Sequence, residues 1–276
     1  MDDYCVIGNP VQHSQSPWIH ARFAQLTGQQ LSYGRRQIAL DGFVAGLQAF
    51  RSEGGKGCNV TVPFKFQAAP LATTLTARAS LAQACNTLRF DGAENVFADN
   101  TDGVGLVSDI QQNAGVALAG RDLLLIGAGG AAAGVLGPLI EARPRRILVV
   151  NRSPDKAAAL ERRHAALASQ HKVQLAAAPL ADVQGAFDIV VNATASSLSG
   201  AAVPVPHTVL KPGALACDMM YGAAADCFVE WARSHGAVPR DGLGMLVEQA
   251  AEAFMVFRGV RPPSAQVLAE LRQRLR

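Results

Sequence analysis

Leu123-Leu-Leu-Ile126 runs directly into Gly127-Ala-Gly-Gly-Ala-Ala-Ala-Gly134. Four large apolar residues in a row, with no polar alternation, require burial on both faces. A strand obtains that only inside a sheet covered on each side. The glycines then demand a tight turn, and the alanines open a helix. The same alternation continues downstream: a strand over 146–150, a helix over 154–170, and strands near 173–176, 187–191 and 215–219. Strands alternating with helices imply right-handed parallel crossovers, and so a doubly wound parallel sheet.

A strand, a Gly-rich turn and a helix together form an anion site. Gly127 allows the tight turn, and Gly129 and Gly130 let the main chain approach a pyrophosphate. The helix start, with Ala128 and Ala131 beside these glycines, offers free N–H groups. The same segment would also serve as a plain tight turn in an Ala/Gly-rich chain. The flanking strands favour a dinucleotide and a Rossmann-type domain. The second strand ends Val149-Val-Asn151-Arg152-Ser153. An NAD site usually places a carboxylate here, on the ribose 2′-hydroxyl. Here Asn is followed by Arg, which can grip a 2′-phosphate, and Lys156 adds charge nearby. The expected cofactor is therefore NADP(H).

The N-terminal part reads differently. Tyr4–Ile7 and 31–39 form strands. A helix opens at Ser16-Pro17 with Ser16 as its cap, and another is capped by Asp41, with Phe43, Val44, Leu47 and Phe50 at helical spacing. Cys58–Val62 is a strand with Asn59 and Thr61 on one face, closed by Pro63. Residues 86–100 form a hairpin turning at Asp91-Gly92, which folds Asn86 back beside Asp99. From about 103 the texture changes to the alternating pattern, and the last 35 residues hold two helices. With 276 residues the chain suits two α/β domains.

Hydrophobic residues make up 49% and charged ones 17%, which places the chain among folded globular proteins. The net charge of +3 is scattered, with no basic block to track a phosphate backbone, so nucleic acid is not an expected partner. The five cysteines include no C-x-x-C pair and read as buried thiols of a reducing compartment. No His/Cys cluster has zinc spacing, so no metal is expected. No signal peptide and no apolar run of roughly 18 residues is present, so the expected location is cytoplasmic with no membrane partner.

Two polar fragments carry the chemistry: Asn59-Val-Thr-Val-Pro-Phe-Lys65 and Asp99-Asn-Thr-Asp102-Gly103. Of the five lysines, only Lys65 follows a strand with an inward polar face. A helix-end lysine in solvent would look the same locally, and Asp102 would equally suit a turn or a cap. The coincidence of Asn59, Thr61, Lys65, Asn86 and Asp102 at strand ends points instead to a proton-handling pair, with Asn59, Thr61 and Asn86 expected as hydrogen-bonding contacts of a polyhydroxylated substrate. Ser14 and Ser16, before a helix, can hold a carboxylate, although Ser16 also suits simple capping. His13 beside them is read as structural.

These motifs, with Gly54-Gly-Lys-Gly-Cys58, Asn192-Ala-Thr194, Asp218-Met-Met-Tyr221 and Asp241-Gly-Leu-Gly-Met-Leu-Val-Glu-Gln249, resemble the NADP-dependent shikimate/quinate dehydrogenase family, in family order and over nearly the whole chain. The resemblance implies reversible reduction of 3-dehydroshikimate to shikimate with NADPH. It implies a substrate domain of residues 1–102 plus 242–276 and an NADP domain of residues 103–241. It assigns Lys65 and Asp102 as the catalytic pair. Ser14, Ser16, Thr61, Asn86, Tyr221 and Gln249 become substrate contacts, and Asn151, Arg152, Ser153, Met219 and Gly242 cofactor contacts. Many members carry an acidic residue where this chain has Ala77. Neither the resemblance nor the residues choose between a monomer and a homodimer.

Hydride delivery to a carbonyl leaves an alkoxide that Lys65, as ammonium, can protonate. Lys65 and Asp102 are expected to act as a coupled dyad. An NAD-using quinate/shikimate dehydrogenase is disfavoured by Asn151-Arg152 and by the serine pair. A catalytically silent dinucleotide-binding regulator is disfavoured by the presence of both Lys65 and Asp102.

Overall fold

The computed structural model describes residues 1–92, 94–194 and 202–275. They fall into two compact units, Met1–Leu106 with Leu246–Arg276, and Val107–Met245. The unit boundaries lie inside helices.

The first unit is built on a six-stranded mixed sheet. Its strands are β1 (Asp2–Gly8), β2 (Leu31–Gln37), β3 (Gly57–Val60), β4 (Thr74–Leu75), β5 (Thr87–Asp91) and β6 (Asn95–Asp99), in the order β2-β1-β3-β5-β6-β4. β1 pairs in parallel with β2 and β3, whereas β5 is antiparallel to both β3 and β6. The short connections are α1 (Ser16–Thr27), α2 (Phe43–Ser52), α3 (Lys65–Ala68) and α4 (Ala77–Ala82); α5 (Asp102–Ser108) leads out of the unit. One core gathers Ile7, Phe43, Leu47, Phe50, Val60, Phe64 and Leu88 between sheet and helices. Val44, assigned to the same apolar face, is exposed.

Two expected caps shift by one residue. Gln15 stands at the cap position of α1, so Ser16 is already helical; Gly42, not Asp41, stands at that of α2. In neither case does the side chain of the residue at the cap position close the helix start. The hairpin forms as expected, with Thr87 opposite Asp99, and the Asn86 N–H donates to the Asp99 carbonyl at 3.1 Å.

The second unit is an all-parallel sheet: β7 (Asp122–Ile126), β8 (Arg146–Asn151), β9 (Gln174–Pro179), β10 (Phe187–Asn192), β11 (Leu210–Asp218) and β12 (Val238–Arg240), ordered β12-β11-β10-β7-β8-β9. The strand order reverses between β7 and β10, the arrangement of a doubly wound dinucleotide-binding sheet. Leu123, Leu124, Leu125 and Ile126 are wholly buried, which is why β7 needs no polar alternation. The helices are α6 (Gly130–Glu141), α7 (Pro154–His171) and α8 (Asp226–Ser234). The sequence reading omitted β4, α5, α8 and β12. The two strands are two or three residues long, too short for a period to show.

At the opposite end of β7 from its glycine turn, Asp122 is buried. It accepts from Arg145 Nε at 2.8 Å and Lys211 Nζ at 3.2 Å, while its own N–H donates to Asp188 at 2.8 Å. The chain then returns to the first unit. α9 (Leu243–Arg258) packs Ala253 and Phe257 on Tyr4, and α10 (Ser264–Arg274) is tied to α1 by a two-point Arg22–Glu270 pair at 2.7 and 2.8 Å.

Four of the five cysteines are buried and all are free; Cys227 is exposed. Among the described residues no helix is long and apolar enough to cross a membrane.

Truncating a fully buried strand residue removes its transfer energy and leaves a cavity. Leu124→Ala is expected to cost about 3 kcal/mol, read as a lowered urea midpoint at unchanged slope.

Candidate active site

In the first unit the directions of β1, β3, β5 and β6 bring several chain segments to one sheet edge. β1 and β3 run towards it and β5 starts from it, as β6 returns to it. The loop carrying Ser14 and Ser16 follows β1, Thr61 and Lys65 follow β3, Asn86 precedes β5, and Asp102 follows β6. Thr61 sits tight against β1. Its N–H donates to the Ile7 carbonyl at 2.9 Å, and a β-carbon on Gly8 would come within 2.4 Å of its methyl.

Lys65 and Asp102 meet as expected. Lys65 Nζ donates to Asp102 Oδ2 at 2.6 Å, with side chains 14% and 6% exposed. The other carboxylate oxygen accepts from Asn86 Nδ2 at 2.9 Å. A largely buried ion pair loses in desolvation about what it gains in attraction, so stability alone gives no reason to keep it. Gln249, from α9, joins through its Oε1, 3.2 Å from Asn86 Nδ2 and 3.4 Å from Thr101 Oγ1. It comes this close because α5 has no side chain at Gly105, where a β-carbon would lie 2.6 Å from the Gln249 main chain.

The loop that presents Asp102 is fixed from below. Asp99 is buried and accepts from Arg78 Nε at 2.7 Å, Arg78 Nη2 at 2.6 Å, Thr76 Oγ1 at 2.6 Å and the Asn100 N–H at 2.7 Å. Asn100 in turn accepts from the Asp102 N–H at 3.2 Å. Arg78 also reaches Glu252 on α9 at 3.0 Å. Burial pushes the Asp99 carboxyl up, but the bonds from Arg78 and Thr76, the Arg78 charge and the Asn100 amide together hold it below the usual carboxylate range.

Asn59 departs from its expected place as a substrate contact. Its Nδ2 donates to the Asn86 carbonyl at 3.1 Å and to Thr87 Oγ1 at 3.0 Å, and its Oδ1 accepts from the Tyr33 hydroxyl at 2.6 Å. It is buried and stands behind the site rather than on its surface. Thr87 passes the link on, donating to Asn86 Oδ1 at 2.9 Å. The Tyr33 ring stacks on His20, with centroids 4.1 Å apart and planes 4° from parallel. Burial pushes His20 down to about 3, against a weaker pull from Asn59, and keeps the ring neutral.

Ser14 and Ser16 form a pair of their own. The Ser16 N–H donates to Ser14 Oγ at 3.2 Å, and the two hydroxyls are 3.1 Å apart. Thus Ser14, not Ser16, shields the start of α1. The sequence reading missed Thr87, Thr101, Arg78 and Tyr33. Thr101 lies inside a motif already singled out, and Thr87 is one residue from another. Arg78 and Tyr33 carry no local signal, because their partners are 21 and 26 residues away.

The expected cofactor residues lie in the second unit, with Tyr221. Gly127, with φ at 113°, brings its Cα against the Ala193 carbonyl, where a β-carbon would sit at 3.1 Å. Gly129 opens α6 with no side-chain cap, and a β-carbon on it would meet open space. Uncapped N–H groups beside a glycine surface fit a pyrophosphate. Asn151 caps its own turn, donating to the Ser153 carbonyl at 3.0 Å, while Arg152, just past β8, and Lys156, in the first turn of α7, are exposed. Gly242 lies directly against Met219, where a β-carbon would be 2.4 Å from the Met219 oxygen. Asn192 donates to Asp218 at 3.0 Å and laces the ends of β10 and β11 together. Among the described residues no group of three or more acidic, His or Cys side chains is placed to hold a metal.

Comparison with known proteins follows the same division. Residues 6–88 match the shikimate dehydrogenase substrate binding domain, 109–200 the shikimate/quinate 5-dehydrogenase model, and 242–272 the shikimate 5′-dehydrogenase C-terminal domain. The shikimate dehydrogenase (NADP(+)) of Acidovorax sp. strain JS42 is 65% identical over 98% of this chain and 96% of its own. The chain belongs to the shikimate/quinate dehydrogenase family. Similar solved structures include two of note. The Ael1 enzyme of Pseudomonas putida has 45% identity and a TM-score of 0.87, covering 98% of each chain. The shikimate 5-dehydrogenase of Thermus thermophilus, solved with NADP(H) and shikimate, has 29% identity and a TM-score of 0.85, covering 99% of each. In this member of the shikimate/quinate dehydrogenase family, Ala77 is exposed on α4, next to the Arg78–Asp99 clamp.

Since the folded Asp99 titrates below the unfolded value of about 3.9, its contribution is present above that pH and is lost as pH falls through the folded value. Arg78→Met is expected to cost about 3 kcal/mol at pH 7 and to flatten the loss of stability below about pH 4, measured as urea midpoints across pH.

Proposed function

We propose that the chain catalyses the NADP-dependent interconversion of 3-dehydroshikimate and shikimate. The carrying observation is the ammonium–carboxylate contact of Lys65 and Asp102 at 2.6 Å, at the strand edge that also holds Asn86, Thr61 and the serine pair. Family membership supports the substrate class, and the relatives named NADP(+)-dependent support the cofactor.

NADP(H), held by residues 127–131 with Asn151, Arg152, Ser153 and Lys156, would supply or take the hydride. Met219 and Gly242 would complete its seat. Lys65 donates a proton to the oxygen of the carbonyl as that oxygen gains charge, and takes it back in the reverse direction. Asp102 keeps the ammonium aimed by holding it through Oδ2, and accepts a substrate hydroxyl. Asn86 fixes Asp102 through Oδ1, so the carboxylate cannot rotate away from Lys65. Gln249, Thr61 and Tyr221 bind the remaining hydroxyls, and Ser14 and Ser16 bind the carboxylate. Asn59 acts by holding Asn86. We place the functional division of the chain at residues 1–102 with 242–276 for substrate and 103–241 for cofactor.

Proton transfer by a positioned side chain is worth 10²–10⁴ in rate. Lys65→Met is therefore expected to lower kcat about a thousandfold while the KM for shikimate changes little. Retained turnover would remove Lys65 from the chemistry. Charge-assisted bonds contribute about 1.5–3 kcal/mol, so Arg152→Ala should raise the KM for NADP at least tenfold and leave that for shikimate unchanged. Equal use of NAD and NADP by the unaltered protein would rule out the role given to Arg152.

A further inference from the structure

We infer that Arg35 is a specificity-determining residue: it supplies the positive charge that makes the Ser14–Ser16 site select an ionised carboxylate. This rests on the reading that the serine pair binds the substrate's carboxyl group. Arg35 lies on β2, away from every motif that marked the site, and it is exposed. Its Nε and Nη2 both donate to the Ser14 carbonyl, at 3.0 and 2.6 Å.

Three features separate this contact from an ordinary surface arginine. The fork closes on a neutral carbonyl rather than a carboxylate, and no ion pair engages Arg35 among the described residues. Its charge is therefore not neutralised locally. By contrast Arg36, on the other face of β2, is taken up by Glu53. Second, the acceptor belongs to Ser14 itself, whose hydroxyl lies 3.1 Å from that of Ser16. The charge is thus tied to the main chain of one hydroxyl residue and two residues from the other. Third, the grip repeats along the strand. Gln37, two residues on and so on the same face, receives a hydrogen bond from Gln12, and the Asn9 side chain donates to the Ile38 carbonyl at 2.9 Å. Residues 35–38 clasp the loop that leads to Ser16.

Hydroxyls alone bind a carboxylate, an ester and an amide with little distinction. A guanidinium beside them adds a Coulomb term that only the ionised group receives. That term acts alike on the ground state and the transition state, so it belongs in KM rather than kcat.

The test compares the unaltered enzyme with Arg35→Lys and Arg35→Gln, using shikimate and its methyl ester as substrates, at low and high salt. Arg35→Gln is expected to raise the KM for shikimate about tenfold, ~1.4 kcal/mol, with kcat within twofold and the KM for NADP unchanged. Its preference for acid over ester should fall by the same factor, and its KM should rise less with salt than that of the unaltered enzyme. Arg35→Lys, which keeps the charge but not the fork, should stay within threefold of the unaltered KM. An unchanged acid-to-ester preference in Arg35→Gln would overturn the inference. So would equal losses in the Lys and Gln variants, which would assign Arg35 to clasping the loop only. Failure of the unaltered enzyme to reduce NADP⁺ with shikimate would instead overturn the functional reading itself.

Discussion

A polar group taken out of water must find a partner inside the protein. Around the first unit's strand edge this constraint dictates the structure. Asn59, Asn86, Thr87, Asp99, Asn100, Thr101 and Asp102 are all nearly inaccessible to solvent, and each is satisfied by another polar group close by. Arg78 holds Asp99, Asp99 and Asn100 hold the turn, and the turn presents Asp102. On the other side Tyr33 holds Asn59, which holds Asn86 and Thr87. The Lys65–Asp102 contact is the end point of both chains of contacts. Its geometry follows from the buried side chains packed behind it, and such a network is worth more intact than the sum of its bonds.

The second unit meets the same constraint by a different route. Its strands are apolar through their length, and polar demand is confined to their two ends. At one end Asp122 gathers Arg145, Arg146 and Lys211. At the other, Asn192 and Asp218 lace the loops, and glycines leave main-chain N–H groups at the start of α6 without side-chain partners. Exposed main-chain donors at a helix start, beside a glycine surface, are the kind of group an anion can accept from.

Much of this was legible in the sequence because the informative residues were local. The run 123–126 could only be an interior strand, and Asp91-Gly92 could only turn a hairpin. The hairpin then forced Asn86 towards the Asp99 end of its partner strand. What could not be read were contacts whose partners lie far apart. Nothing near Arg78 announces that Asp99 and Glu252 will meet it, and nothing near Tyr33 announces Asn59. Local polarity also misled. Asn59 shares a face with Thr61, as a period of two requires, but a face pointing into a buried network looks in sequence the same as one pointing at a ligand. The caps of α1 and α2 failed more simply: Ser16 and Asp41 are good cap residues, yet the chain begins each helix one residue away.

Gly105 allows α5 to lie against α9, so residues on either side of a 139-residue insertion, Val107–Met245, share one unit. This imposes an order on biosynthesis. As the chain leaves the ribosome at about 5–20 residues per second, Asn86, Thr101 and Arg78 are made several seconds before Gln249 and Glu252. The inserted unit is continuous and can finish folding while its predecessor still lacks α9 and α10. The unit that begins first is completed last.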